Sequence, residues 1–441
     1  MGSGAADFLF DFPPARWLWK PLVKRYLTGS WAAMTLKPGE PSPPRRLDKL
    51  GLYLHVPFCR SPCPYCPYNR VKYDERRYRL FESAAHQEID LYGERMSEPL
   101  KDARVSSLYV GGGTPTIDPD SLARLVDHIR DVFGPADDIC VECHPSSIDD
   151  SCLGILKSLG VTMVSIGVET LSDRLLKLIG RAQDAATAED AVWRAVAGGF
   201  RTVNADLMFA LPTQTIENLD YDVQRVLDLG VDQISAYPIF GFPYTKLGKR
   251  LGIRRILRPP AGLIRDMLGL IRRRSEERGF RQCSVWSFVR PDRAKFSSTT
   301  RQYYLGIGPS AASMTGDQFY VNTFSVEEYA SALPGRLPVA LVLPVDRRLE
   351  MVFWLYWRIY EMEIPIADFE RLFEAELESV YGSLLNLWER MGMVYRLNGS
   401  YRVTESGAYW IHRVQNEYAL NYIDRLWGRC RSEAWPEEVR L

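Results

Sequence analysis

From Leu52 onward, short apolar runs alternate with stretches of helical periodicity. The runs at 52–56, 105–110, 138–142, 162–167, 201–207 and 232–237 predict strands. Between them, amphipathic spacing predicts helices near 75–95, 119–132, 149–159, 172–179, 187–198 and 215–229. Strand–helix units in such succession predict an α/β fold, a parallel sheet curled into a partial (β/α)6 barrel. In barrels of this kind chemistry collects at the C-terminal strand ends. Past 346 the pattern changes to helical spacing at 349–357, 369–373 and 384–391, followed by a hairpin around Asn398-Gly399. Helices followed by a hairpin predict a winged-helix-like α+β domain. The expected organisation is an N-terminal arm at 1–50, a core barrel at 51–245, an extension and linker at 246–345, and a C-terminal cover domain at 346–441.

The first predicted strand runs straight into Cys59, Cys63 and Cys66. Thiolates on one short loop can ligate one face of an iron–sulfur cube. Three ligands for four irons leave one iron open to a substrate or cofactor, which suits catalysis better than electron transfer. A structural zinc site wants a fourth Cys or His close by, and Pro67, Tyr68 and Asn69 offer none. Clustered disulfides fit poorly with a chain that shows no secretion signal.

This pattern, with Tyr65 just before the third Cys, resembles the signature of radical S-adenosylmethionine (SAM) enzymes. The longer phrase from Tyr53 to Cys66 resembles their oxygen-independent coproporphyrinogen III dehydrogenase branch. That branch also contains heme chaperones, anaerobic heme-opening enzymes, and SAM-dependent methylases and cyclopropanases. The likeness extends from about Leu52 to the C-terminal region. It implies a radical SAM barrel holding a [4Fe-4S] cluster on Cys59, Cys63 and Cys66, with Tyr53 counted beside them among the catalytic residues.

Further motifs carry the resemblance to SAM binding. Gly111-Gly112-Gly113-Thr114 resembles the glycine-rich turn that holds the methionyl amino group, and Tyr65 falls in the same cofactor set. Glu142, in Glu-Cys-His-Pro, matches a SAM contact, and Asp206 matches the ribose-binding acid. Glu169 stands where Gln is usual; its carboxylate can still accept from ribose hydroxyls. Arg181 resembles the basic partner of the SAM carboxylate. Any one acid alone reads equally well as a helix cap or surface charge, but these fall in sequence order at predicted strand ends.

The resemblance implies one-electron cleavage of SAM to a 5′-deoxyadenosyl radical. Position 68 is Tyr where the dehydrogenases tend to carry a fourth Cys. With Glu169, this favours methyl transfer or cyclopropanation of an apolar or aromatic small molecule, using two SAM molecules. The alternative is a tetrapyrrole enzyme, or a non-catalytic heme chaperone. A reductant such as flavodoxin or ferredoxin is the implied protein partner.

Composition narrows the partners. Basic and acidic residues balance at 55 each, so nothing draws the whole chain to nucleic acid. The winged-helix-like region lacks a basic reading face, and no run is long and apolar enough for a transmembrane segment. With 8 Cys and no signal-peptide pattern, a reducing cytoplasmic setting is expected. The Trp-rich stretch within 8–26 reads as an arm packed on the core, or as a lid or membrane foot. The basic run from Lys246 to Arg258, continued by Arg272 to Arg274, reads as solvated helix faces, with recognition of substrate carboxylates or phosphates as the lesser reading. The Cys140–Cys143 pair reads as core. His55 and His144 lie near enough to the motifs for a proton-transfer role.

Overall fold

The structure is a computed structural model that describes residues 24–30, 32–44, 47–100, 103–253, 259–297 and 302–441. The predicted strands form as β1 (Lys49–Val56), β2 (Arg104–Gly112), β3 (Ile139–Cys143), β4 (Met163–Glu169), β5 (Thr202–Phe209) and β6 (Gln233–Pro238). Each pairs in parallel with the next. They are buried nearly throughout, which is why they read as continuous apolar runs.

The helices fill the connections, with two, α4 and α5, between β4 and β5: α1 (Glu75–Leu100), α2 (Pro119–Phe133), α3 (Asp150–Ser158), α4 (Asp173–Ile179), α5 (Ala185–Ala197) and α6 (Ile216–Asp228). Their starts are chemically marked. Asp118, Asp149 and Asp184 each accept a backbone N–H of the first turn of α2, α3 and α5, and Thr215 with Asn218 forms a capping box on α6. The partial barrel expected from periodicity is therefore present.

The same sheet continues beyond the six units to 12 strands. Tyr304–Ile307 joins β1 in parallel, followed by three antiparallel strands; at the other edge Ser287–Val289 pairs with β6. Segments drawn from 281–344 thus cover both edges of the barrel sheet. Beyond them, helices pack on a three-stranded sheet made of Glu363–Pro365, Ser400–Val403 and Val394–Leu397. Its hairpin turns at Asn398 and Gly399, both at positive φ, as the Asn-Gly pair requires. Helices and hairpin bury a core of their own around Trp354, Phe369 and Tyr381.

The long helix Glu405–Ser432 returns to the barrel. Its Arg431 Nη1 donates to the carbonyls of Pro67 (3.1 Å) and Tyr68 (3.2 Å) in the cysteine loop. Thr35–Leu36 of the arm pairs with Val439–Arg440. The Trp-rich stretch up to residue 23, with its lid and foot readings, and Arg254, Arg255 and Arg258 lie outside the described residues. Arg274 is paired with Asp220 at 2.7 Å, and Arg272 with Glu405. Among the described residues no helix is long and apolar enough to cross a membrane.

Candidate active site

The cysteine loop leaves β1 at Val56 and is pinned at its base. Phe58–Cys59 pairs with Val71–Lys72, so the intervening residues form a closed loop over the barrel mouth. Arg70 Nη2 donates to the Cys63 carbonyl at 2.5 Å, and Tyr244 Oη donates to that of Pro67 at 3.3 Å. Cys59, Cys63 and Cys66 are free thiols on this loop. Burial pushes Cys66 up to about 12 and raises Cys59 as well. Ligation by these sulfurs therefore requires the ligand to displace their protons.

The glycine-rich turn lies directly against the loop. Gly113 N–H donates to Val56 O (2.7 Å) and Thr114 N–H to Phe58 O (2.8 Å), and the Thr114 hydroxyl contacts Cys59 Sγ at 3.7 Å. A Cβ on Gly113 would stand 2.6 Å from Phe58 O, and Gly112 adopts φ +114 with the His55 ring where its Cβ would be. Both positions demand glycine. Gly113→Ala is expected to displace the Phe58–Cys59 backbone and lower cluster occupancy after reconstitution several-fold. Iron and sulfide content per chain is the measurement, and wild-type occupancy would refute the cradle.

Three acids, Glu169 buried and Glu142 and Asp206 half-buried, converge across the mouth. Glu142 on β3 accepts from Tyr109 Oη at 2.6 Å and from Gly112 N–H at 3.1 Å. Asp206 accepts from Ser165 Oγ (2.6 Å) and Asn204 Nδ2 (2.9 Å). It sits within β5 rather than at its end, in register with Gly167 and Ser235. Glu169 ends β4 at φ 67, 3.6 Å from Arg181. Burial raises all three, Asp206 to about 8. Asp206 also feels Glu169 and Glu142, and repulsion among the three opposes their ionising together in this acidic well.

Arg181 ties well to loop. Its Nη1 donates to Cys63 Sγ (3.3 Å) and its Nη2 to the Gly167 carbonyl (2.8 Å). Burial pulls against its charge, but Tyr65, Glu169 and Cys63 outweigh that and raise it. Its Nε is buried without a hydrogen-bond partner, a donor left for a ligand carboxylate. Tyr65 is buried beside the same pair.

Tyr53 is placed differently from the other predicted residues. His55 Nε2–H donates to Asn69 O (2.9 Å), which leaves Nδ1 to accept from Tyr53 Oη at 2.7 Å. Burial holds His55 neutral, down to about 4, with both ring nitrogens engaged. Tyr53 thus supports the barrel wall, where its ring meets Tyr109 at 6.1 Å. His144 accepts from Ser146 N–H through Nδ1 at 3.2 Å, and burial pushes it down to about 3. A proton-transfer role for either histidine finds no support here. Cys140 and Cys143 are core, as read.

Sequence reasoning missed the residues that aim the acids. Tyr109, Ser165, Asn204 and Tyr237 carry no motif of their own, and alternation along strands already known to face the mouth is the one signal that could have found them. Tyr68 is missed in another way. It is 51% exposed, yet its phenol faces Glu142, Cys66, Asp206 and Tyr244, and Tyr360 lies beyond it. Tyr244 and Tyr360 therefore stand near Tyr68 beside the cysteine loop.

The Radical SAM superfamily model matches residues 53–226, spanning the loop, the glycine turn and all three acids. Residues 53–226 form a radical SAM domain. Radical SAM relatives include the heme chaperone HemW of Bacillus subtilis, 29% identical over 63% of this chain and 74% of that one. HemW of Lactococcus lactis is 26% identical over 84% and 98%. The oxygen-independent coproporphyrinogen III oxidase of Pseudomonas aeruginosa is 27% identical over 76% and 77%. Among solved structures, the radical SAM coproporphyrinogen III oxidase HemN of Escherichia coli shares the fold, with TM-score 0.71 and 23% identity over 86% of this chain and 90% of that one.

A radical SAM domain implies a [4Fe-4S] cluster and SAM, and the residues present fit both. Among the described residues no three His, Cys, Asp or Glu groups close round a single ion; a cubane instead takes each thiolate at a separate iron. The acidic well suits the ammonium, sulfonium and ribose hydroxyls of SAM, and Arg181 Nε suits its carboxylate. These relatives are heme chaperones and a porphyrinogen oxidase, which weighs against the expected methyl transfer and its second SAM.

Proposed function

We propose that this chain is a SAM-cleaving iron–sulfur protein whose substrate or cargo is a tetrapyrrole. The observation that carries the reading is the joining of cysteine loop and acidic well through Arg181, which contacts Cys63 and Glu169 together. Cys59, Cys63 and Cys66 would hold the cluster. Gly111, Gly112, Gly113, Thr114, Glu142 and Arg181 would hold the methionyl end of SAM, and Asp206 with Glu169 its ribose. Bound there, cluster and SAM supply one-electron cleavage of a carbon–sulfur bond.

The chain's own residues orient and shield. Tyr109 and Gly112 fix both oxygens of Glu142, while Ser165 and Asn204 take one lone pair from each oxygen of Asp206 and leave others for hydroxyl donors. The rings of Tyr68, Tyr244 and Tyr360 would offer flat aromatic faces to a planar macrocycle. The tetrapyrrole assignment is supported by the named relatives.

The test is anaerobic reconstitution with iron and sulfide, then dithionite and SAM, with and without heme or coproporphyrinogen III. Release of 5′-deoxyadenosine that rises several-fold with one tetrapyrrole supports an enzyme. Tight heme binding without cleavage supports a carrier. S-adenosylhomocysteine formation indifferent to either tetrapyrrole would overturn the reading.

A further inference from the structure

β4 does not end as a regular strand. Its register with β5 shifts between Gly167 and Glu169, which leaves Val168 as an extra residue in a β-bulge. At Glu169 the backbone then enters the left-handed region, φ 67. From there the carboxylate faces Arg181 at 3.6 Å and accepts from Tyr237 Oη at 3.4 Å. A glutamate at positive φ is strained, and such a residue persists only where its surroundings hold it.

Two side chains from the link between α4 and α5 hold the bulge. Arg181 Nη2 donates to the Gly167 carbonyl, and a Cβ on Gly167 would stand 2.7 Å from that nitrogen, so only glycine lets the guanidinium lie there. Gln183 Nε2 donates to two carbonyls at once, Gly167 O at 3.2 Å and Val168 O at 3.3 Å. On the far side Asp222 of α6, nearly fully buried, accepts from Thr170 Oγ1 (2.6 Å) and Leu171 N–H (2.9 Å). Gln183 is only 6% exposed, and its Oε1 is buried with no hydrogen-bond partner among the described residues. Turning the amide over would set that oxygen against two carbonyl oxygens, so the donor orientation is forced. One acceptor thus stays unpaired while both bulge carbonyls are served.

We propose that Gln183 is a positioning residue for SAM, holding the bulge from which Glu169 is presented to the ribose and to Arg181. The inference rests on the ribose role given to Glu169 above. Gln183 acts through the backbone, since its contacts are to carbonyls one and two residues before the acid and not to the carboxylate. Its loss frees the turn, and the carboxylate swings out of the geometry that a ribose hydroxyl needs.

The test is a thermodynamic cycle on the reconstituted full chain, with SAM binding to the oxidised cluster measured by anaerobic calorimetry so that nothing is cleaved. Gln183→Met keeps the length of the side chain and removes the donor; SAM affinity is expected to fall at least tenfold. Gln183→His restores an N–H donor and is expected to bind within about threefold of wild type. In a Glu169→Ala background, itself weakened, Gln183→Met is expected to cost less than a further threefold, because a residue acting through Glu169 has nothing left to position. Unchanged SAM affinity in Gln183→Met, or the same tenfold loss in both backgrounds, would overturn the proposal while leaving the SAM site standing. Should the methionine variant fail to fold, the histidine variant decides: near-wild-type affinity upholds the donor role, and a tenfold loss rejects it. A wild-type chain that binds no SAM would remove the proposed function and this inference together.

Discussion

Cys63→Ala yields a colourless protein that cleaves no SAM, whereas Cys152→Ala keeps both colour and cleavage. The contrast follows from placement, because both thiols are buried. Cys63 lies on the loop beside Arg181; Cys152 lies on α3 in the apolar core. Removing one of three sulfurs leaves two irons of the cube without protein ligands, and the occupancy falls to background. The loss is chemical and not a collapse of the fold. Cys63 sits on a surface loop, so truncation costs only the sulfur acceptor of Arg181 and a small void, about 1–3 kcal/mol. Iron content, paramagnetic resonance of the reduced protein and the midpoint of thermal unfolding separate the two effects. A Cys63→Ala protein that retained a reducible cluster would remove this residue from the ligand set, and with it the proposed reaction.

How far such a site is legible in sequence depends on whether the chemistry or its support is being read. Parallel strands buried on both faces announce themselves as apolar runs, and β1 to β6 stand where those runs are. Residue types that do chemistry at strand ends are equally visible, as Cys59, Gly113 and Glu142 were. What aims them is not, because it depends on register between strands. Asp206 reaches Ser165 because Gly167 of β4 lies opposite it in the sheet, and neither residue type signals this alone. Long-range closure is hidden for the same reason: Tyr304–Ile307 pairs with β1 across some 250 positions of chain, and Arg431 grips a loop 363 residues away. The expectation of methyl transfer leaned on Tyr68 and Glu169 as departures from a motif. Departures of that kind show which side chain is present, not which substrate it faces.

The second large effect concerns Arg181 and Glu169. Their side chains are only 10% and 7% exposed, so Arg181→Met strands a carboxylate in a low-dielectric wall. Stripping one partner from a buried pair costs about 3–5 kcal/mol. Glu169→Gln alone keeps an acceptor there and costs about 1–3 kcal/mol through the altered hydrogen bonds. In the double variant no charge is stranded, so the two penalties fall short of their sum by about 1–3 kcal/mol.

The penalty also has a pH signature. Burial raises Glu169 above its ordinary value even with Arg181 beside it, and removing the guanidinium raises it further. A carboxyl raised in the folded state favours folding below its unfolded value, and that contribution is lost as pH rises through the folded value. The Arg181→Met deficit is therefore smaller near pH 5 than near pH 8, while the double variant shows no such slope from this pair. Denaturant unfolding of the cluster-free proteins at the two pH values measures both effects. Strictly additive penalties, or a deficit indifferent to pH, would mean that the pair is not electrostatically coupled and that Arg181 is held by Cys63 and Gly167 alone.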